Sequence, residues 1–484
     1  RALCEEGEAQ LNREQRLYSV IYDYFFTRIC LGFYQEGDTL PSIGEAREMF
    51  GVSTRTIRKA YHMLEEGGYL SISRGRNAVV IRGAPGGQCR EVCVAYFAAR
   101  RDAILDLSWM AKKILPEIFL RGFLMMDGEG LDGLALSVEK MRIQNLQTQL
   151  QCFCRILAPL GNPLLTSFFW EISVFSRMTY LRGLFTDEAE NERDSENLRR
   201  RFMEMIDARR AEDSERLRTL ICRFFGNCDV HVRAHFGELA SRYAPASEQV
   251  PFTWRVYKGR PQQGFFIAMK LIRKIYAEDY RLGEFLPSAA DLAEEYGVSV
   301  ITIRRTLVLL GRLGLTETIN GRGTRVIPQE ESVARQGLQA PAVRKNLKIF
   351  LQTVQMLALT GEAVMLAAFP HFRPDKVRRA AEIFRSETAY DIVPFTCMEL
   401  VADSDASPCL RELYGQLSDL FGWGVILRFL ARGSSVSGER RELIEEMRAG
   451  LAARDAGRFA RGFSGLMFHV LEGAGRRLRE RGVL

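Results

Sequence analysis

The sequence has no run of about 20 apolar residues, the length a membrane-crossing helix needs. It also has no basic-then-apolar leader near its first residue. Neither a membrane partner nor secretion is expected, and the chain is assigned to the cytoplasm. The first residue is Arg1 rather than methionine, so the natural start is expected to lie upstream. Ten cysteines are scattered at irregular spacings, eight of them before residue 229, which is no disulfide framework and fits reduced thiols. A phosphate-cradling G-x-x-x-x-G-K and a metalloprotease H-E-x-x-H are both missing. No enzyme and no cofactor are expected. Charge of one sign is modest: the net value is +7, which permits a nucleic-acid partner without requiring one.

What is present is length and a repeat. With 484 residues, 47% of them hydrophobic and 26% charged, the chain is ordinary globular material too long for one core. Leu40-Pro41-Ser42 recurs as Leu286-Pro287-Ser288, and Gly51-Val52-Ser53 as Gly297-Val298-Ser299. Thr56-Ile57-Arg58 recurs as Thr302-Ile303-Arg304, and Gly75-Arg76 as Gly321-Arg322. All four pairs share an offset of 246, so a unit is duplicated without gaps. Each copy precedes a longer stretch of another kind, giving an order A–B–A′–B′. The Gly/Pro-rich "RGAPGGQ" at 82–88 closes the first copy, "YAPASEQVP" at 243–251 separates the halves, and 328–342 closes the second copy. The expected domains are 1–83, 96–245, 263–328 and 341–484.

In the A unit, Val20, Ile21, Tyr24, Phe25 and Ile29 keep helical spacing, which predicts a first amphipathic helix within 17–33. Ser42 followed by Glu45 fits a capping box that starts a second helix, and Ser288 with Asp291 repeats it. Gly51-Val52-Ser53 is a tight turn with Ser53 as N-cap of a third helix, whose apolar stripe is Ile57, Ala60, Tyr61 and Leu64. Thr54, Arg55, Arg58 and His62 fall on its other faces. Residues 69–81 then predict two short strands around Arg74-Gly75-Arg76. Two helices joined by a tight turn let the second enter the major groove N-terminus first, where short hydroxyls reach phosphates and arginine can pair with guanine. The candidate DNA-contacting residues are Ser42, Ser53, Thr54, Arg55, Thr56, Arg58, Arg74, Gly75 and Arg76 in the first copy. In the second they are Ser288, Ser299, Val300, Ile301, Thr302, Arg304, Gly321 and Arg322.

The set L-P-S, G-V-S-x-x-T-I-R and a wing "SRGRNAVVI" or "NGRGTRVI" resembles the GntR family of bacterial transcription regulators over 17–82 and 263–328. The resemblance implies a winged helix-turn-helix that binds palindromic operators as a dimer, with an effector domain behind it. The chain departs from the family at Gly44 and Ala290, where an arginine is usual after L-P-S. It departs again at Thr54 and Val300, where an arginine usually follows the turn serine.

Both B units show three-to-four spacing throughout, for example over 154–175, 197–225 and 440–480, and predict all-helical bundles. The whole chain is thus expected to be mainly α: two winged helix-turn-helix domains, each followed by an effector-type bundle. "FCRILAPLGNPLL" resembles the helical ligand-binding domain of the FadR-like branch. That resemblance implies a divalent metal held by an aspartate and three histidines. Those positions fall on Leu150, Cys154 and Thr396, and near Phe202 and Phe224, so the inherited site is expected to be lost. Cys222, Cys228, His231 and His235 form the one other metal-type group, but their spacing matches no standard zinc pattern, and buried thiols with surface histidines are the simpler reading. The expected partners are double-stranded DNA and a small-molecule effector. A–B and A′–B′ are expected to pack as an internal pseudo-dimer, with further oligomerisation open. The alternative is a protein-interaction scaffold that has lost specific DNA binding.

Overall fold

A computed structural model describes residues 21–22, 25–26, 28–29, 34–50, 53–73, 75–81, 86–143, 146–176, 181–182, 185–186, 188–244, 246–254, 263–276, 279–328, 341–386, 390–424 and 437–483. Long helices dominate, and the two small sheets are antiparallel hairpins.

The first A unit carries helices Ile43–Phe50 and Thr54–Glu66 and strands Leu70–Ser71 and Val79–Val80. The first expected helix, 17–33, lies partly outside the described residues; Ile21, Phe25 and Ile29 within it are helical and buried. The second A unit repeats the order with Gln263–Tyr276, Ala289–Tyr296, Val300–Arg312, Thr316–Ile319 and Gly323–Val326. The duplication extends to single pairings: Thr39 bridges Val79 in one copy, and Phe285 bridges Arg325 in the other.

The B unit is all helical: Gly86–Ala98, Arg101–Met125, Gly128–Glu139, Leu146–Leu157, Pro163–Ser176, Glu188–Arg210 and Ser214–Arg242. Its first helix begins at Gly86, inside the stretch expected to be a linker and ahead of the expected boundary at 96. Phe97 and Cys93 on that helix are buried with Val232 and Phe236, and this apolar face outweighs the flexibility of Gly86-Gly87. B′ contains Pro341–Ala368, Pro374–Ile383, Val393–Ala402, Pro408–Phe421, Gly438–Ala453 and Ala456–Glu480. The stretch Val343–His371 is long and apolar enough to cross a membrane, although no such run was expected. It is the central helix of B′, packed along Ala456–Glu480 and against Arg101–Met125, and most of its apolar positions are buried, Leu366 being exposed.

B and B′ meet through matching elements. Arg101–Met125 packs on Pro341–Ala368, and each of these also packs on the other unit's counterpart helix, Pro408–Phe421 or Pro163–Ser176. The stretch 243–251 is expected only to separate the halves, yet residues 246–254 lie against both units. Gln249 donates to the Ala98 carbonyl at 2.9 Å, Phe252 meets Phe175, and the fully buried Trp254 stacks edge-on to Phe168 while its backbone N–H donates to Glu412 at 3.1 Å. The first A unit keeps a core of its own, whereas the core of the second runs without a break into that of the helical units.

Candidate nucleic-acid interface

Each recognition helix is started by the same device. Ser53 Oγ accepts the Thr56 N–H at 3.2 Å, and Ser299 Oγ accepts the Thr302 N–H at 3.2 Å. The paired hydroxyls lie 2.7 Å apart in the first copy and 2.9 Å in the second. Such a cap satisfies one of the free N–H groups at a helix start. The helix before it is capped by Ser42, whose N–H donates to Glu45 at 2.8 Å and whose hydroxyl accepts in return. These bonds hold the Glu45 carboxyl below its usual range, the side-chain bond with Ser42 contributing most. Ser288 and Asp291 form the same box. The hydroxyls of Ser42 and Ser288 thus accept the cap bonds, which leaves each its O–H to donate.

The recognition helix of the first reader is pinned from behind. Tyr61 is buried edge-on to Phe25 at 5.2 Å and donates its hydroxyl to the Pro41 carbonyl at 2.7 Å. In the second reader Thr306 donates to the Gly264 carbonyl at 2.9 Å. Arg55, Arg58, Arg304 and Arg305 are exposed, and none makes an ion pair or hydrogen bond with its side chain among the described residues. Thr54 and Thr302 are half-buried, and Val300 and Ile301 are 37% and 61% exposed. Thr56 differs from expectation: it is only 6% exposed and its hydroxyl turns onto Ser53, so it completes the cap rather than reaching outward. At the wing tips Gly75 and Gly321 have φ of +78° and +76°, a conformation that favours glycine, and Arg76 and Arg322 beside them are exposed. Arg74 lies outside the described residues.

The positions corresponding to the family's metal ligands do not fit a metal. Leu150 is buried, and Phe153, Phe202 and Phe224 fill the space as a ring cluster with centroids 5.3–6.3 Å apart. Thr396 is buried and donates to the Ile392 carbonyl. Burial also raises the Cys154 thiol, which disfavours the thiolate a metal would need. Cys222, Cys228, His231 and His235 share one helix, but against expectation both thiols are exposed and His235 is half-buried. Among the described residues no three or more His, Cys, Asp or Glu side chains converge on a metal-holding arrangement.

Beside the ring cluster lies a cavity of about 280 Å³, between Arg101–Met125, Leu146–Leu157, Pro163–Ser176, Glu188–Arg210 and Ser214–Arg242. Phe153, Phe169, Phe224 and Phe225 form its apolar wall, with Arg182, Arg201, His231 and His235 around it. Arg182 is paired with Asp194. Arg201 makes no ion pair or hydrogen bond among the described residues. His231 donates Nδ1–H to the Asn227 carbonyl. His235 stacks on Phe185, and burial, then Arg182 and His231, push its pKa below the ordinary value. The phenylalanines that displace the metal residues were legible in the sequence. The cavity was not, because its lining comes from five separate helices.

Two capped recognition helices, each with exposed arginines and a glycine-arginine wing tip, define a winged helix-turn-helix DNA-binding protein. Comparison with known proteins agrees. The family model described as bacterial regulatory proteins, gntR family, matches residues 17–80 and 265–326. The uncharacterized HTH-type transcriptional regulator YhcF of Bacillus subtilis (strain 168) is 30% identical over 99 residues, covering 20% of this chain and 80% of its own length. Among solved structures, a Streptococcus agalactiae GntR is 13% identical over 44% of this chain and 100% of its own, with a TM-score of 0.22. E. coli McbR/YncC is 17% identical over 44% of this chain and 97% of its own, with a TM-score of 0.23. The chain belongs to the GntR family of DNA-binding transcription regulators and carries the family's reader twice.

Proposed function

We propose that one chain acts as a complete regulator in the cytoplasm, setting both of its readers on one operator as an internal pseudo-dimer. The observation that carries this is a contact made twice with roles exchanged. Asp106, on the first long helix of B, accepts from Ser407 Oγ and the Cys409 N–H, both at 2.8 Å, at the start of a B′ helix. Asn162, at the corresponding helix start in B, donates to the Gln352 carbonyl at 2.9 Å and to Gln355 at 2.8 Å on the first long helix of B′. Residues 106 and 352 differ by the repeat offset of 246, and 162 and 407 by 245. Reciprocal contacts of this kind mark a two-fold interface. Here the pseudo-two-fold relates the halves of one chain, and it accounts for two readers where a family dimer uses one from each subunit.

The cavity in B is the effector site of this reading. Its ring-lined wall suits an apolar body, and the guanidinium of Arg201 suits one anionic group on it. The test of the architecture is the mass of the protein on a short operator chosen from a random DNA pool. One chain per duplex is expected, and two chains per duplex would refute it. For the effector, aromatic and aliphatic carboxylates should raise the melting temperature of the protein, and Arg201→Met should abolish that rise. An equal rise in the variant would remove Arg201 from the site.

A further inference from the structure

The two readers share one scaffold and differ in the chemistry of the face they offer. Their recognition helices have the same length, the same serine-threonine cap, the same wing-tip glycine conformation and equivalent bridge pairings. On that common frame Thr54 is replaced by Val300, Arg55 by Ile301 and His62 by Val308, while Arg58 is kept as Arg304. The replacements are not buried: Val300, Ile301 and Val308 are 37%, 61% and 55% exposed. Exposed branched side chains at a helix start have nothing to gain from water, and they stand where base edges meet a helix entering the major groove.

We infer that the two readers of one chain read different half-sites, and that the second reads thymine through its methyl group with Val300 and Ile301. This rests on the proposal that both readers sit on DNA. Valine and isoleucine cannot hydrogen-bond a base edge, but thymine alone presents a methyl group in the major groove. The second recognition helix carries Arg304, Arg305 and Arg312 and no acidic residue, whereas the first ends in Glu65-Glu66. An apolar face set among exposed arginines fits a polyanion with apolar groups in its groove better than it fits a protein surface. The operator is therefore non-palindromic, with a first half specified by hydrogen bonds to Thr54 and Arg55 and a second half rich in thymine.

The experiment starts from sites selected with the full chain and replaces thymine by deoxyuracil in one half at a time, which removes only the methyl group. Loss of each contacted methyl should weaken binding about fourfold in the second half, the factor that burying one such group supplies. The same change in the first half should have little effect. Val300→Thr combined with Ile301→Arg should remove the deoxyuracil effect and turn the second half towards the first. Two equally informative inverted half-sites, or protection of both halves with no deoxyuracil effect, would overturn the inference while leaving the two-reader proposal standing. A footprint over a single half-site, with the second reader free, would overturn both and return the apolar face to a protein partner.

Discussion

Asn162 does two jobs, and single substitutions can separate them. It is 3% exposed. Its Oδ1 accepts the N–H groups of Leu164 and Leu165 at 3.0 and 3.2 Å, which caps the helix Pro163–Ser176. Its Nδ2 donates to Gln352 and Gln355 across the interface between the halves. Loss of a cap costs about 1 kcal/mol. On the other side, the Gln352 carbonyl lies inside a helix, and Gln355 is also held by donating to the Leu160 carbonyl at 3.2 Å. Losing the two Nδ2 bonds should thus cost towards the lower end of the usual range, about 1–1.5 kcal/mol. Asn162→Ala removes both contributions and should destabilise by about 2–2.5 kcal/mol. Asn162→Ser keeps an oxygen for the cap and should lose only the interface part, about 1–1.5 kcal/mol. Urea unfolding is the assay, with the buried Trp254 against Phe168 reporting on the same interface. For a slope of about 3 kcal/mol per molar, the alanine variant should shift the midpoint by roughly 0.7–0.8 M and the serine variant by about half of that. Equal shifts would refute the division into cap and interface, and a shift below about 0.2 M for both would show that the contact does not hold the halves together.

Three further outcomes follow from single groups. Burial alone would raise the Asp229 pKa, but hydrogen bonds from Lys112, Arg233 and Ser108 outweigh it and hold the carboxyl below its ordinary value. Its contribution is therefore present above the unfolded value of about 3.9 and is lost as pH falls through the folded value, so Asp229→Asn should flatten the fall of the urea midpoint below about pH 4. Gly321→Ala forces a side chain into φ +76° and should cost about 1 kcal/mol in the second reader, read as earlier local melting by hydrogen exchange. Arg58→Ala should weaken binding to selected and scrambled DNA alike and reduce the salt slope by about 1, whereas Arg55→Ala should relax one base position at a cost of about 1–3 kcal/mol. Both assignments assume unchanged melting, and they are reversed if Arg58→Ala alters base preference and leaves the salt slope intact.

The readers were legible in the sequence because their devices demand particular residues. A cap needs a short oxygen at Ser53 and Ser299, and the wing tips need glycine at 75 and 321. The bundles were legible as helices because apolar spacing reports the buried face. Three features were not. Gly86-Gly87 carries the composition of a linker, yet Phe97 and Cys93 downstream draw the segment into a helix. Residues 246–254 look like a spacer by their proline and serine, and only Phe252 and Trp254 betray that the segment is packed. The interface pairs, Asp106 with Ser407 and Asn162 with Gln352, preserve position while changing chemistry, so identity at the repeat offset does not find them. The burial of Thr56 was not legible either, although a hydroxyl near a helix start is often used by the helix itself.

Joining the two halves in one chain changes what each half must do. In a dimer of identical subunits every substitution appears twice, so a reader that loses its polar contacts is lost from both half-sites. In this chain the copies have drifted apart. Lys112, which pairs with Asp229 between the long helices of B, stands as Ala358 at the repeat offset of 246, so that ion pair is not repeated in B′. Under the proposal that both readers dock on one operator, the second would bind intramolecularly once the first has docked, and it could drift in the same way. At an effective concentration of about 1 mM, a second half-site bound with a dissociation constant of only about 0.1 mM is still occupied roughly nine-tenths of the time. A weak, apolar reader would be sufficient under that condition, and it would add discrimination at positions the first reader does not touch. The same reasoning makes the interface between B and B′ the element that sets reader spacing. Asn162→Ser should therefore leave the affinity for an isolated first half-site unchanged while weakening binding to the full operator, and equal effects on the two DNAs would disconnect the interface from the readers.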